Sequence, residues 1–315
     1  MNKRLPNTGK NFAKQIADLL TVQLLGPLIP IILKEAAEEY LAYVKLNKAY
    51  KTYIGVRTFI NHLFKYFSQL RKLETIKQKD IQVFLSSLRK NAPLAVENYY
   101  RIGRTFFNWL IKQNYLRQNP FIGIELPKRQ IKKPAFFCLQ EAQLIWNKLE
   151  EMGKVIIKNI MIVAFFTGMR FGELTNLKWR SINLKERLII VGETFVTKTK
   201  RTRVIPMNDV VYNLLNDLKS KLSNNKKIDD EYVFSKKNKK KLTVDWVSKS
   251  FKKAVRELGM DDSIHLYSTR HSAASHLVSK GSNIFAIKEI LGHQSILTTQ
   301  IYTHLNIDDL RKAIE

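Results

Sequence analysis

The 315-residue chain has a single cysteine and half as many acidic residues as basic ones, and each shortage excludes something. Cys138 has no partner for an intrachain disulfide, and no cysteine-based zinc set can be assembled around it. Its neighbours Phe136, Phe137 and Leu139 predict a buried structural thiol, and a reducing, cytoplasmic compartment fits that usage. Long apolar runs are also missing. The stretch from Leu19 to Leu33 follows Lys3, Arg4, Lys10 and Lys14 in the manner of a signal peptide. However, Asp18 abuts it, Gln23 interrupts it, Pro27 and Pro30 would break a helix, and no small-residue cleavage site follows. No segment reaches the roughly 20 apolar residues of a membrane helix. Also absent are a Gly-rich phosphate loop, a His-Glu metal helix and a paired-carboxylate cluster.

What is abundant is positive charge. There are 54 Lys+Arg against 27 Asp+Glu, a net charge of +27. A compact protein with that excess repels itself, so a polyanion is the expected partner, with nucleic acid the first candidate. Apolar residues make up 45% of the chain, enough for two cored domains at this length.

Residues 1–30 read as a loosely packed lead-in. Helical spacing begins near Ile31 and continues with Leu33, Ala36, Tyr40 and Val44. Further helices are predicted over 50–70, 77–89 and 94–116, the last stopped by Asn119-Pro120. They form a helical domain over 31–126. Lys51, Arg57, Lys65, Lys72, Lys90, Arg101, Arg104, Lys112 and Arg117 stud its polar faces. Two prolines bracket a cationic run at 127–134, which reads as a linker. The second domain, 135–315, opens with helices over 140–152 and 155–167. Strand-like pieces follow at 181–184, 187–191 and 202–206, with Lys198 to Arg201 at a hairpin tip, and a short strand is predicted at Tyr232-Val233-Phe234. Helices over 209–222, 244–258, 270–278 and 283–291 complete it. The fold class is mainly α, with an α+β second domain carrying a small antiparallel sheet.

Several polar residues stand at places where a side chain is held. Arg170 follows an apolar helix and Gly168; Arg270 begins a helix; Lys198 lies at a strand turn; His293 stands at a helix junction. Tyr302 lies on a short, sparsely apolar segment, which leaves its phenol free. A phenol with a pKa of about 10 is a poor nucleophile unless cations or a base assist it. Together these residues suit one chemistry. Two guanidiniums can clamp the non-bridging oxygens of a phosphodiester, a histidine can add a donor, and a lysine can protonate the leaving alkoxide. Such a site needs neither metal nor nucleotide.

The stretches Thr167-Gly-Met-Arg170-Phe-Gly-Glu173-Leu, Lys198-Thr-Lys-Arg-Thr-Arg-Val-Ile-Pro206, Arg270-His271 and Leu291-Gly-His293…Thr299-Gln-Ile-Tyr302-Thr resemble the tyrosine recombinase family, the phage integrases and Xer-like recombinases. The resemblance covers the second domain from about Lys133; the helical domain resembles the family's core-binding domain more loosely. It implies a C-shaped clamp on duplex DNA with specific target sites. It further implies cleavage through a 3′-phosphotyrosine, religation within a tetramer, no cofactor, and a cytoplasmic, nucleoid-associated setting. Integration, excision and resolution all stay open. By position it makes Arg170 and Arg270 the phosphate clamp, Lys198 the general acid, His293 a phosphate donor and Tyr302 the nucleophile. Glu173 would orient and buffer the site. Lys200 rivals Lys198, because hairpins slip in register.

One position departs from the family, which usually has histidine where this chain has Tyr267. His265 lies two residues earlier and is not its equivalent. A tyrosine can donate to a phosphate oxygen but shuttles protons less well at neutral pH. His271 matches the family, with either a chemical or a structural role. After Tyr302, Ile307, Leu310 and Ile314 outline one apolar face of a short tail helix, which must dock on its own domain or on a neighbouring subunit. The charge excess predicts that binding to a DNA duplex weakens with salt, the log–log slope falling by about 0.9 per phosphate neutralised. Titration at several salt concentrations measures it; a flat response would mean the basic residues do not face DNA.

Overall fold

The computed structural model describes residues 27–91, 95–126, 135–193, 202–222, 228–236 and 238–302. The predicted lead-in up to residue 26, the linker 127–134, the hairpin tip with Lys198 and Lys200, and the tail beyond Tyr302 lie outside the described residues. The chain divides into two compact units, Met1–Gln130 and Ile131–Glu315.

Among the described residues, the first unit contains helices α1 (Leu33–Asn47), α2 (Tyr50–Tyr66), α3 (Gln78–Asn91) and α4 (Val96–Lys112). Each buries one stripe at helical spacing. Leu33, Ala36, Tyr40 and Val44 of α1 meet Val56, Phe59, Ile60 and Leu63 of α2, and Ile81, Phe84 and Leu85 of α3 join the same core. On α4 the fully buried face is Val96, Gly103, Phe106, Phe107 and Leu110, while Tyr99, Ile102 and Ile111 flank it. Lys51, Arg57, Lys65, Lys72, Arg101, Arg104 and Lys112 are exposed.

Two boundaries differ from the sequence reading. Helix α2 ends at Tyr66, because Phe67 turns extended to bury its ring. Helix α4 stops at Lys112, well before Asn119-Pro120. Asn114 adopts a left-handed φ of 62°, and the Tyr115 N–H returns to the Leu110 carbonyl, which closes the helix end. Asn119 has another task. Buried, it donates to the Arg104 carbonyl (2.9 Å) and the Asn108 side chain (2.6 Å), and accepts from the Phe121 N–H (2.9 Å). These bonds pin the chain after α4 so that Phe121 enters the core.

The second unit is built around α6 (Val155–Thr167), apolar on nearly every side. Helices α5 (Leu139–Glu151), α8 (Asp209–Ser220), α9 (Val244–Glu257) and α10 (Ser268–Ser279) pack on it. A one-turn helix α7 (Phe171–Leu174) follows α6. Strands β1 (Ile182–Asn183), β2 (Leu188–Val191) and β3 (Arg203–Pro206) form an antiparallel sheet in that order, with Ile189 opposite Ile205 and Val191 opposite Arg203. The mainly α class with a small antiparallel sheet is therefore present. Tyr232-Val233-Phe234 is not a strand: Tyr232 makes only an isolated bridge to Lys178, while Val233 and Phe234 point into the core. Helices α11 (Ile284–Leu291) and α12 (Leu297–Gln300) follow α10, and the Asn283 side chain caps α11 by accepting from the Phe285 N–H.

Cys138 is exposed, against expectation. It is the N-cap of α5, where its N–H donates to Glu141, and the alternation of the extended segment sends Phe137 inward and its neighbours out. Asn119→Ala leaves the Phe121 N–H buried without its partner. The full chain is then expected to lose about 1–3 kcal/mol of stability in this unit; an unchanged urea midpoint would contradict it.

Candidate active site

Helix α6 ends in a left-handed residue, Gly168, with φ of 61°. A Cβ there would lie 2.4 Å from a methyl group of Leu291, so glycine is required both by conformation and by the approach of α11. This junction leaves carbonyls at the ends of α6 and α11 without helical partners. Arg270, on the first turn of α10, takes both. Its Nη1 donates to the Gly168 carbonyl and its Nη2 to the Leu291 carbonyl, each at 2.5 Å. The side chain is only 2% exposed, and its Nε is buried without a protein partner. Burial, followed by the Arg170 charge, lowers its pKa, yet a guanidinium still stays protonated at neutral pH.

Arg170 and Arg203 share one carboxylate. Glu173, one turn after Arg170, accepts from the Arg170 N–H (2.9 Å) and from its Nη1 (3.1 Å). Arg203, the first residue of β3, forks onto the same carboxylate at 3.1 and 2.7 Å and donates Nε to the Ile290 carbonyl. The second Nη of Arg170 reaches the Gly292 carbonyl at 3.3 Å. Gly292 is also left-handed, and a Cβ on it would press on the Arg203 guanidinium at 3.2 Å. Glu173 is 4% exposed. Burial alone would raise its pKa, but the Arg203 hydrogen bonds and charge, with the Arg170 N–H, overcome that and hold it below its ordinary value. Two guanidiniums thus share one carboxylate with the Arg270 charge close by, and the remaining positive charge is available to an anion.

His293 follows Gly292. Its Nδ1 meets the Thr299 hydroxyl at 2.9 Å. Burial, then Arg270, Arg170 and Arg203, push its pKa down to about 4, so the ring is neutral at pH 7. With Thr299 donating to Nδ1, the ring proton sits on Nε2 and can be offered to an oxyanion. Tyr302 closes the turn after α12, its N–H bonded to the Thr299 carbonyl. Its phenol is not free. It packs beside Ala274, Ile287 and Leu291, and its hydroxyl contacts His271 Nδ1 at 2.5 Å. Burial, followed by the nearby Tyr267, raises its pKa to about 12 despite Arg270.

Of the residues expected from the sequence, Arg170, Glu173, Arg270, His271, His293 and Tyr302 gather at this junction of α7, α10, α11 and α12. Tyr267 stands at its edge, 49% exposed, with its ring edge-on to His271 at 5.1 Å between centroids. His265 bonds Ser268 at the start of α10 and lies near enough to His271 to act on it electrostatically. Lys198 and Lys200 lie outside the described residues. Arg203 and Thr299 were quoted in the motifs but given no role. The signal for Arg203 was its place in β3, where alternation with Ile205 turns it inward, and an inward arginine needs a buried acid. No three His, Cys, Asp or Glu side chains converge as a metal-ligand set among the described residues.

The phage integrase family profile matches residues 136–308, more than half of the chain, which belongs to that family of tyrosine recombinases. A curated relative is the tyrosine recombinase XerC of Oceanobacillus iheyensis, 26% identical over 294 residues, covering 88% of this chain and 93% of the relative. Among solved structures, the Tn1549 transposon integrase in complex with circular intermediate DNA superposes with a TM-score of 0.74 at 19% identity, over 90% of this chain and 99% of that one. A lambda integrase from a tetramer bound to a Holliday junction superposes with 0.72 at 19% identity, over 88% and 80%. Both share the fold.

Removing Glu173 would leave Arg170 and Arg203 repelling each other in a buried place. Glu173→Ala is expected to cost about 3–5 kcal/mol of stability at neutral pH. Because the folded pKa of Glu173 lies below its ordinary 4.5, that contribution is complete above pH 4.5 and is lost as pH falls through the folded value. Urea titrations across pH would therefore show the two proteins converging in acid; a constant gap would contradict the assignment.

Proposed function

We propose that the chain is a site-specific DNA strand transferase in which Tyr302 attacks a backbone phosphate. The observation that carries the reading is the pairing of Arg170 and Arg203 on one carboxylate with the buried Arg270 charge close by, and the Tyr302 hydroxyl held by His271 on the same helix as Arg270. Arg170 and Arg270 hold the non-bridging oxygens, and His293 adds its Nε2–H. Lys198 protonates the leaving 5′ oxygen, with Lys200 as its rival. Cleavage leaves a 3′-phosphotyrosine, and a 5′ hydroxyl from a partner strand reverses the step. Charge development is met by fixed cations, so the chemistry runs without metal or nucleotide.

The helical unit, about 31–126, serves as the core-binding domain on duplex DNA, and the second unit carries the chemistry. The tetramer on a Holliday junction known for the lambda enzyme supports assembly of four subunits on paired sites. A cytoplasmic, nucleoid-associated setting suits a chain that acts on DNA. The role is integration, excision or resolution of a DNA element. No described helix is long and apolar enough to cross a membrane.

A nicked suicide duplex bearing the target site, incubated in excess EDTA, tests the reading. The native chain should form a covalent adduct. Tyr302→Phe, which removes only the attacking oxygen, should bind equally well and form none. Adducts persisting in that variant would mean that another residue attacks.

A further inference from the structure

We infer that His271 is the proton acceptor for Tyr302 during strand cleavage, because its Nδ1 is the group in hydrogen-bond contact with the attacking hydroxyl. This rests on the proposed function, since it needs Tyr302 to be the nucleophile.

Other nearby groups are poor acceptors. Arg270 is a cation bound to two carbonyls. His293 meets Thr299 through Nδ1, and its remaining ring nitrogen is the donor side. Tyr267, with an intact phenol, is a weak base. His271 is different on each count. Its ring is half-buried, and burial, followed by His265 and Arg270, lowers its pKa, which keeps it neutral at pH 7 and leaves a lone pair to offer. With the ring proton on Nε2, Nδ1 accepts from the phenol.

The helix explains the arrangement. Arg270 and His271 are consecutive on α10, so their side chains diverge by about 100°. Arg270 turns into the junction of α6 and α11, while His271 turns to the turn after α12 that holds Tyr302. Tyr267 lies one turn earlier on the His271 face, where its ring edge braces the imidazole. The same helical turn thus carries a phosphate ligand and the base.

The step balances as follows. As the Tyr302 oxygen–phosphorus bond forms, the hydroxyl proton passes to His271 Nδ1. The phosphorus–O5′ bond breaks, and O5′ takes a proton from the general acid. His271 is left as imidazolium and returns its proton to the tyrosine on religation. A bound phosphodiester offsets the Arg270 charge, one of the causes that depress the imidazole, and so favours proton uptake when substrate is present.

Single-turnover cleavage of the suicide duplex by His271→Ala and His271→Gln, with DNA affinity measured alongside, tests this. Gln preserves size and a hydrogen-bond acceptor but takes no proton. Both variants should bind DNA as the native chain does and cleave about 100-fold more slowly or worse. Added imidazole should restore part of the rate to His271→Ala and none to His271→Gln. Cleavage by His271→Gln within about threefold of native would overturn the inference and leave His271 a positioning residue. So would a His271→Ala variant that binds DNA normally and gains nothing from imidazole. Adducts in Tyr302→Phe under the same conditions would instead remove the parent reading.

Discussion

Glu173 is the constraint on which the site depends. Two guanidiniums cannot approach each other in a buried place without an acid between them, and Glu173 is that acid for Arg170 and Arg203. Its carboxylate ties three separate pieces of chain together: α7, whose first turn it closes, the start of β3, and through the arginines the carbonyls at Ile290 and Gly292. Those carbonyls belong to the end of α11, which delivers His293. A single short side chain therefore sets the spacing between the helical layer and the sheet at the point where the chemistry is assembled.

The Tyr302 side of the site is held by different means. Tyr302 sits against a small apolar cluster of Ala274, Ile287 and Leu291, and its hydroxyl is oriented by one imidazole. Burial raises the phenol's pKa further above neutrality. The Tyr302 hydroxyl and the Arg270 guanidinium lie against two faces of the same helix, α10.

Much of this was readable in advance, and the misses have physical causes. The helix α6 was found with both ends correct, because an unbroken apolar run closed by glycine has few alternative structures. Motif spacing singled out Arg170, Arg270, His293 and Tyr302, which the fold gathers at one helix junction. Asn119 was read as a stop signal, although the helix before it ends at a left-handed Asn114 and Asn119 instead bonds across the fold. Cys138 was judged by its aromatic neighbours, but in an extended segment neighbours face opposite ways. Arg203 and Thr299 were passed over because their partners, Glu173 and His293, are distant in sequence or reached across a turn. The free phenol expected at Tyr302 failed for the same reason: a sparsely apolar segment says nothing about the histidine waiting on another helix.

The two arginines that reach backbone carbonyls at Gly168, Leu291 and Gly292 have a consequence for binding. Carbonyls orient a guanidinium without cancelling its charge, whereas a second carboxylate would have done both. The rotamer freedom of these long side chains is therefore lost when the protein folds rather than when DNA arrives. In the proposed reaction a phosphate would meet donors that need little reorganisation, because the folding of two glycine-ended helices has already carried that entropic cost.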